Sequence, residues 1–254
     1  MDKQQFLQAC ETVISVSPEP GRGIGTLGEK TLHAVLKHYM EPDTAKHEIR
    51  LGGYVADIAN ETGVTEVQTR NFNSLRNKLA CFLEHNEVTV VYPIAYTKWL
   101  IWVDPETGEA TAKRRSPKRG NYCEVFYELY KIKPLLLHPR LKLCLMLIDM
   151  EEYRFLDGWS ENKKRGSSRY NRIPTELVDE LTINTPADYG RLIPDTLPET
   201  FTAKDFAKAA KLSPKSAQTA LNVLHFVGAV MNIGKRGRSY LYQRLDNLQQ
   251  EKQD

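Results

Sequence analysis

The sequence predicts an α/β protein: a mixed sheet flanked by helices, followed by a small C-terminal unit of two helices and a hairpin. Three observations predict it. Glu48 to Arg70 alternates apolar and polar residues on either side of a polar Asn60-Glu61-Thr62-Gly63 turn, as a β-hairpin does. Leu141 to Met150 (LKLCLMLIDM) is an almost uninterrupted apolar run, the mark of a strand buried on both faces. Around these runs apolar residues recur at helical spacing, so helices alternate with strands and cover the sheet.

Composition narrows the class. A chain of 254 residues, 41% apolar and 26% charged, has enough material for one large domain or two small ones. No apolar run reaches the roughly eighteen residues of a membrane span, and the start MDKQQFLQACETVISV is amphipathic rather than signal-like, so a cytoplasmic protein without membrane contact is expected. Cys10, Cys81, Cys123 and Cys144 lie far apart in apolar surroundings and indicate neither a disulfide framework nor a zinc site. Net charge is only +3, yet it is gathered: Lys113, Arg114, Arg115, Lys118 and Arg119 form one basic cluster, Lys163, Lys164, Arg165 and Arg169 a second, and Lys235, Arg236 and Arg238 a third. Such clusters suit phosphate contacts, although solvated loops carry lysine and arginine too.

In chain order, Asp2 to Val16 reads as a helix ended by Ser17-Pro18-Glu19-Pro20-Gly21. Thr26-Leu27-Gly28-Glu29 has the form of a capping box opening a second helix, with Leu32, Val35, Leu36 and Tyr39 on one face and a stop before Pro42. The hairpin follows. With Glu61 and Thr62 at the centre of its turn, Asp57 stands opposite Glu66, with facing Cβ atoms about 5 Å apart. Gln68 projects from the same face as Glu66. Two facing carboxylates repel unless a cation or a shared proton lies between them. The plainer reading makes them the solvated side of an amphipathic hairpin. Asn71 to His85 is then a helix, Val88 to Ile94 and Lys98 to Val103 are strands, and Tyr122 to Ile132 is a further helix.

A helix bearing Glu29, a strand carrying Asp57, a strand ending Glu66-Val67-Gln68, then a helix and a buried strand resemble the core of the PD-(D/E)XK nuclease superfamily, in particular members with a glutamate on the first helix, such as Holliday-junction resolvases. The resemblance covers Gly25 to Ile94 and extends towards Met150. It implies a restriction-endonuclease-like sheet, Mg²⁺ or Mn²⁺ as cofactor, and Glu29, Asp57, Glu66 and Gln68 as catalytic residues. The metal would be held by Asp57, Glu66, the Val67 carbonyl and Glu29. Gln68 departs from the family pattern, standing where a lysine is usual. An amide orients a water but does not take its proton. Lys78, on the next helix, is a candidate substitute, although its simpler reading is a solvent-facing helix residue.

Near the C-terminal end, Phe201 to Ala210 is a helix capped by Thr202, and Ser213-Pro214 opens another that runs to Val227. Strands on either side of the basic turn Gly234 to Arg238 complete a unit that resembles a winged helix-turn-helix. It would contact DNA through Lys215, Ser216, Gln218, Thr219 and Asn222 on the second helix and through Lys235, Arg236 and Arg238 on the wing. The expected division is residues 1–156 for the nuclease-like domain, 157–195 for a basic connector with a short helix from Pro174 to Leu181, 196–245 for the winged helix and 246–254 for a tail. In the connector Lys163, Lys164 and Arg165 would also meet DNA. The expected function is a metal-dependent DNA endonuclease, a homodimer being one possible state. The alternative is an inactive nuclease fold kept as a DNA-binding scaffold.

Overall fold

The computed structural model describes residues 1–16, 31–159 and 165–245. Helices α1 (Lys3–Val16) and α2 (Thr31–Met40) each bury one stripe. Phe6, Ala9 and Cys10 meet Leu32, Val35, Leu36 and Tyr39, and together they cover one face of the sheet at Val67, Val91, Met146 and Ile148. Strands β1 (His47–Leu51), β2 (Tyr54–Asn60) and β3 (Gly63–Val67) follow and pair antiparallel. Ile58 pairs with Thr65 and Asn60 with Gly63, the register the sequence predicts. Gly63 sits at φ +125°, and an added Cβ would lie 2.4 Å from the Glu87 carbonyl oxygen, so this turn requires glycine.

A 3₁₀ turn over Phe72–Leu75 and helix α3 (Arg76–Leu83) return the chain, so that β4 (Val88–Val103) runs parallel to β3. β4 is one strand where two are expected, because a bulge between Ala95 and Lys98 takes up the break. Two residues at its edge form β5 (Arg114–Arg115). The expected helix from Tyr122 to Ile132 is two 3₁₀ segments around a four-residue α4 (Phe126–Leu129), since Ile132 leaves helical geometry at φ −112° shortly before Pro134. Strand β6 (Leu141–Trp159) is parallel to β4, and β7 (Arg165–Ile183) is antiparallel to β6. The sheet order is β1-β2-β3-β4-β6-β7, a mixed sheet with helices on it.

β7 corrects the expected connector. No helix spans Pro174 to Leu181; the segment is strand, hydrogen-bonded along β6. Leu177 and Leu181 have helical spacing because a bulge at Val178, where Leu147 pairs with Asp179 and Ile148 with Leu177, shifts the pleat by one residue. The two leucines thus serve opposite faces of the sheet: Leu177 joins the core under α1 and α2, Leu181 the other core.

After a 3₁₀ segment over Pro186–Leu192, strand β8 (Thr200–Thr202), helices α5 (Ala203–Ala209) and α6 (Pro214–Phe226) and strands β9 (Val230–Arg236) and β10 (Ser239–Arg244) form a second, three-stranded sheet in the order β8-β10-β9 with two helices on it. Both helix starts follow from their caps. Thr202 and Asp205 bond reciprocally, and Ser213 Oγ accepts from the Ser216 N–H ahead of Pro214. This unit does not hang from a linker. One apolar cluster runs from Phe72 and Leu79 through Val125, Phe126 and Leu129 to Phe206, Ala217, Leu221 and Leu224. Leu136 of the Leu135-Leu136-Leu137 patch is buried within it, while Leu137 is exposed. Because the core is shared, Leu224→Ala is expected to destabilise the whole chain by about 2–5 kcal/mol while keeping a single unfolding transition in denaturant; two separate transitions would contradict the shared core. No helix among the described residues is long and apolar enough to cross a membrane.

Candidate active site

β2 and β3 stay paired from their turn to Ile58 and Thr65 and then part. The chain puts its two carboxylates at that opening. Glu66 Oε1 accepts a hydrogen bond from the Asp57 N–H at 3.2 Å, and Asp57 Oδ2 accepts from the Val67 N–H at 2.8 Å. Each side chain therefore satisfies a backbone donor that the diverging ladder leaves free. Glu66 is only 2% exposed. Basic side chains approach from both flanking helices: Lys78 Nζ on α3 lies 2.5 Å from Glu66 Oε2, and His33 Nε2 on α2 lies 3.3 Å from Asp57 Oδ2.

The electrostatics of the pair are unequal. Burial first, and the Asp57 charge second, push the Glu66 carboxyl up to about 7 in spite of Lys78. Burial also pushes Asp57 up, but the hydrogen bond and charge of His33, the Val67 N–H and the Lys78 charge outweigh it and hold Asp57 below the ordinary carboxylate range. Near neutral pH the pair thus has one firmly ionised member and one that exchanges its proton readily. This is the kind of division that functional sites show.

Gln68 is placed differently from its expected role. Its Nε2 donates to the Asn71 carbonyl and to Ser74 Oγ, both at 3.3 Å, and holds the turn into α3. Val67 closes β3 opposite Val91. Glu29 lies outside the described residues. His33, in the first turn of α2, was not singled out from the sequence. Lys78, whose simpler reading is a solvent-facing residue, instead points into the site. Among the described residues no three His, Cys, Asp or Glu side chains converge as a preformed metal cage. Among the described residues the carboxylates that meet there are Asp57 and Glu66.

On α6, Lys215 and Gln218 are exposed, Ser216 bonds the capping Ser213, and Thr219 donates to the Lys215 carbonyl. Asn222 is exposed, as expected, and accepts from Lys133 Nζ at 3.0 Å at the surface. Lys235 lies over the Tyr240 ring, and Arg236 reaches Asp205 at 3.4 Å. Arg238 lies in the exposed turn between β9 and β10. Lys163 and Lys164 lie outside the described residues, and Arg165 begins β7.

Residues 30–184, more than half of the chain, match the family described as a domain of unknown function, DUF8091. The chain belongs to the DUF8091 family. The DUF8091 stretch starts one residue before α2 and ends one residue after β7, so it contains His33, Asp57, Glu66, Lys78 and the whole large sheet, and excludes α1 and the C-terminal unit. An uncharacterized protein of Treponema pallidum (strain Nichols) is 29% identical over 228 residues, covering 87% of each chain. No solved structure matches.

Proposed function

We propose that this chain is a metal-dependent nuclease that hydrolyses phosphodiester bonds at Asp57 and Glu66 and is held on DNA by its C-terminal unit. The order of elements supports the reading: α2, the antiparallel β1-β2-β3, α3 and the parallel β4 follow the helix-and-strand order of PD-(D/E)XK cores. The observation that carries it is the Lys78 ammonium at Glu66. Gln68 in the usual lysine position would favour an inactive scaffold if no other ammonium reached the pair, and Lys78 reaches it from the next helix.

The donor set suits a hard divalent cation. Burial and then the Asp57 charge lift Glu66, a cation between the two carboxylates relieves both, and Asp57 Oδ1 accepts no hydrogen bond from any described residue. Asp57 and Glu66 would hold Mg²⁺ or Mn²⁺, which when bound makes water more acidic and neutralises a leaving oxygen. His33 fixes the Asp57 carboxyl in place, and the Asp57 and Val67 N–H groups fix the two side chains against each other. Lys78 sets a positive charge and three donors beside Glu66, where the charge of an attacked phosphate develops. The β8-α5-α6-β9-β10 unit is similar to a winged helix-turn-helix, with Lys215, Gln218, Lys235 and Arg238 exposed for DNA.

Titration with Mn²⁺ tests the site. The ion is expected to bind the natural chain, to support phosphodiester cleavage, and to lose both effects in Asp57→Ala and in Glu66→Ala. Cleavage that survives in both variants would place the chemistry elsewhere.

A further inference from the structure

The large sheet continues well past the carboxylate pair. β3 ends at Val67 opposite Val91, whereas β4 runs on to Val103, about 40 Å further at the usual rise of a strand. On one face of this extension Leu100 pairs with Glu152 and Glu152 with Arg172, while Trp102 pairs with Arg154 and Arg154 with Arg169. Glu152 is 1% exposed, and three cations share it: Lys98 at 3.3 Å, Arg169 at 3.4 Å and Arg154. A carboxylate offers about four acceptor positions against about thirteen donors on one lysine and two arginines, so most of those donors are left for another anion. The neighbouring Arg172 makes no ion pair and no side-chain hydrogen bond with any described residue.

The strand that carries Arg172 touches the helix whose His33 meets Asp57. Burial, then the charge of Arg169 and more weakly that of Arg70, push Arg172 down to about 10 against the pull of Glu152 and Tyr92. Arg70 lies two residues beyond Gln68, at the exit of β3. Asn171, next to Arg172, donates to Thr31 Oγ1 at 2.7 Å in the first turn of α2, the turn whose His33 holds Asp57. One helical turn therefore touches both Asp57 and the strand neighbour of Arg172. Arginines crowded around each other with too few acceptors have the planar donor forks that phosphate oxygens satisfy two at a time.

We infer that Arg172 and Arg169, organised by the buried Glu152, bind a backbone phosphate of the nucleic-acid strand away from the bond at Asp57 and Glu66. This rests on the nuclease reading and names how its substrate is held. Binding of a fluorescein-labelled 30-mer DNA duplex and of one of its single strands to the full chain, followed by anisotropy from about 50 to 300 mM salt, tests it. Arg172→Gln and the half-exposed Arg169→Gln are each expected to weaken binding about tenfold at 100 mM salt and to lower the salt slope by about one. Lys142→Gln, an equal loss of charge at the far end of β6, is expected to bind as the natural chain does. Arg169 lies far enough from the core that its replacement spares the fold, so it stands in if Arg172→Gln unfolds. A natural chain that binds and cuts DNA while both arginine variants keep its affinity and salt slope overturns the inference and leaves the nuclease reading intact. A natural chain that neither binds nor cuts any nucleic acid overturns both.

Discussion

Glu66→Gln is expected to abolish hydrolysis and yet to make the metal-free chain more stable above pH 7. Burial and Asp57 raise the folded-state carboxyl of Glu66 from 4.5 to about 7. The folded chain therefore binds more protons than the unfolded chain between those values, and its stability falls as pH rises through that window. With a side chain only 3% exposed, the full effect is on the order of 3 kcal/mol. Asp57 acts with the opposite sign: its lowered carboxyl contributes stability above its unfolded pKa, lost only as pH falls through the folded one, well below this window. Glutamine keeps the shape and an acceptor for the Asp57 N–H but carries no charge. Urea unfolding in EDTA at pH 5, 6, 7 and 8 is expected to show a decline in the natural chain and a flatter profile in Glu66→Gln. Added Mn²⁺ should restore the natural chain by mass action and leave the variant unchanged. Equal slopes in the two proteins would mean that Glu66 is not the strained member of the pair.

Lys78→Met is expected to lower the rate of hydrolysis about 10²–10³-fold, the usual effect of removing one donor aimed at developing charge, with little change in DNA affinity. Lys78→Arg should recover part of the loss, since the charge and donors remain with altered reach. Gln68→Ala should cost far less, because its amide is bonded to Asn71 and Ser74. Single-turnover rates of the three variants on one substrate decide the matter. A Gln68→Ala chain as impaired as Lys78→Met would return the catalytic role to the glutamine.

The contrast between these two residues shows what the sequence could convey. The hairpin and its Asp57–Glu66 opposition were legible because strict alternation and a polar turn fix register locally. The caps at Thr202 and Ser213 were legible for the same reason, each being a contact within a few residues. Lys78 was legible only as a candidate beside its simpler solvent-facing reading, since helical periodicity says which face is apolar but not which polar residue stands over a strand end. β7 was hidden by its own bulge, which gave Leu177 and Leu181 a helical interval, and by the polar run that precedes it. The Glu152 cluster draws residues from β4, β6 and β7, up to about seventy positions apart, and no local pattern announces such a meeting. The shared core beneath the C-terminal unit was likewise a matter of tertiary packing.

The measurement that tests the central claim most directly is cleavage of plasmid, linear, branched and single-stranded DNA and of RNA in ¹⁸O-labelled water, with Mg²⁺ or Mn²⁺ and with EDTA. Metal-dependent cutting that places one ¹⁸O atom on a terminal phosphate of the product, and that disappears in Asp57→Ala, is the predicted result. No cutting of any substrate with either metal would contradict it, as would cutting that continues unchanged in EDTA.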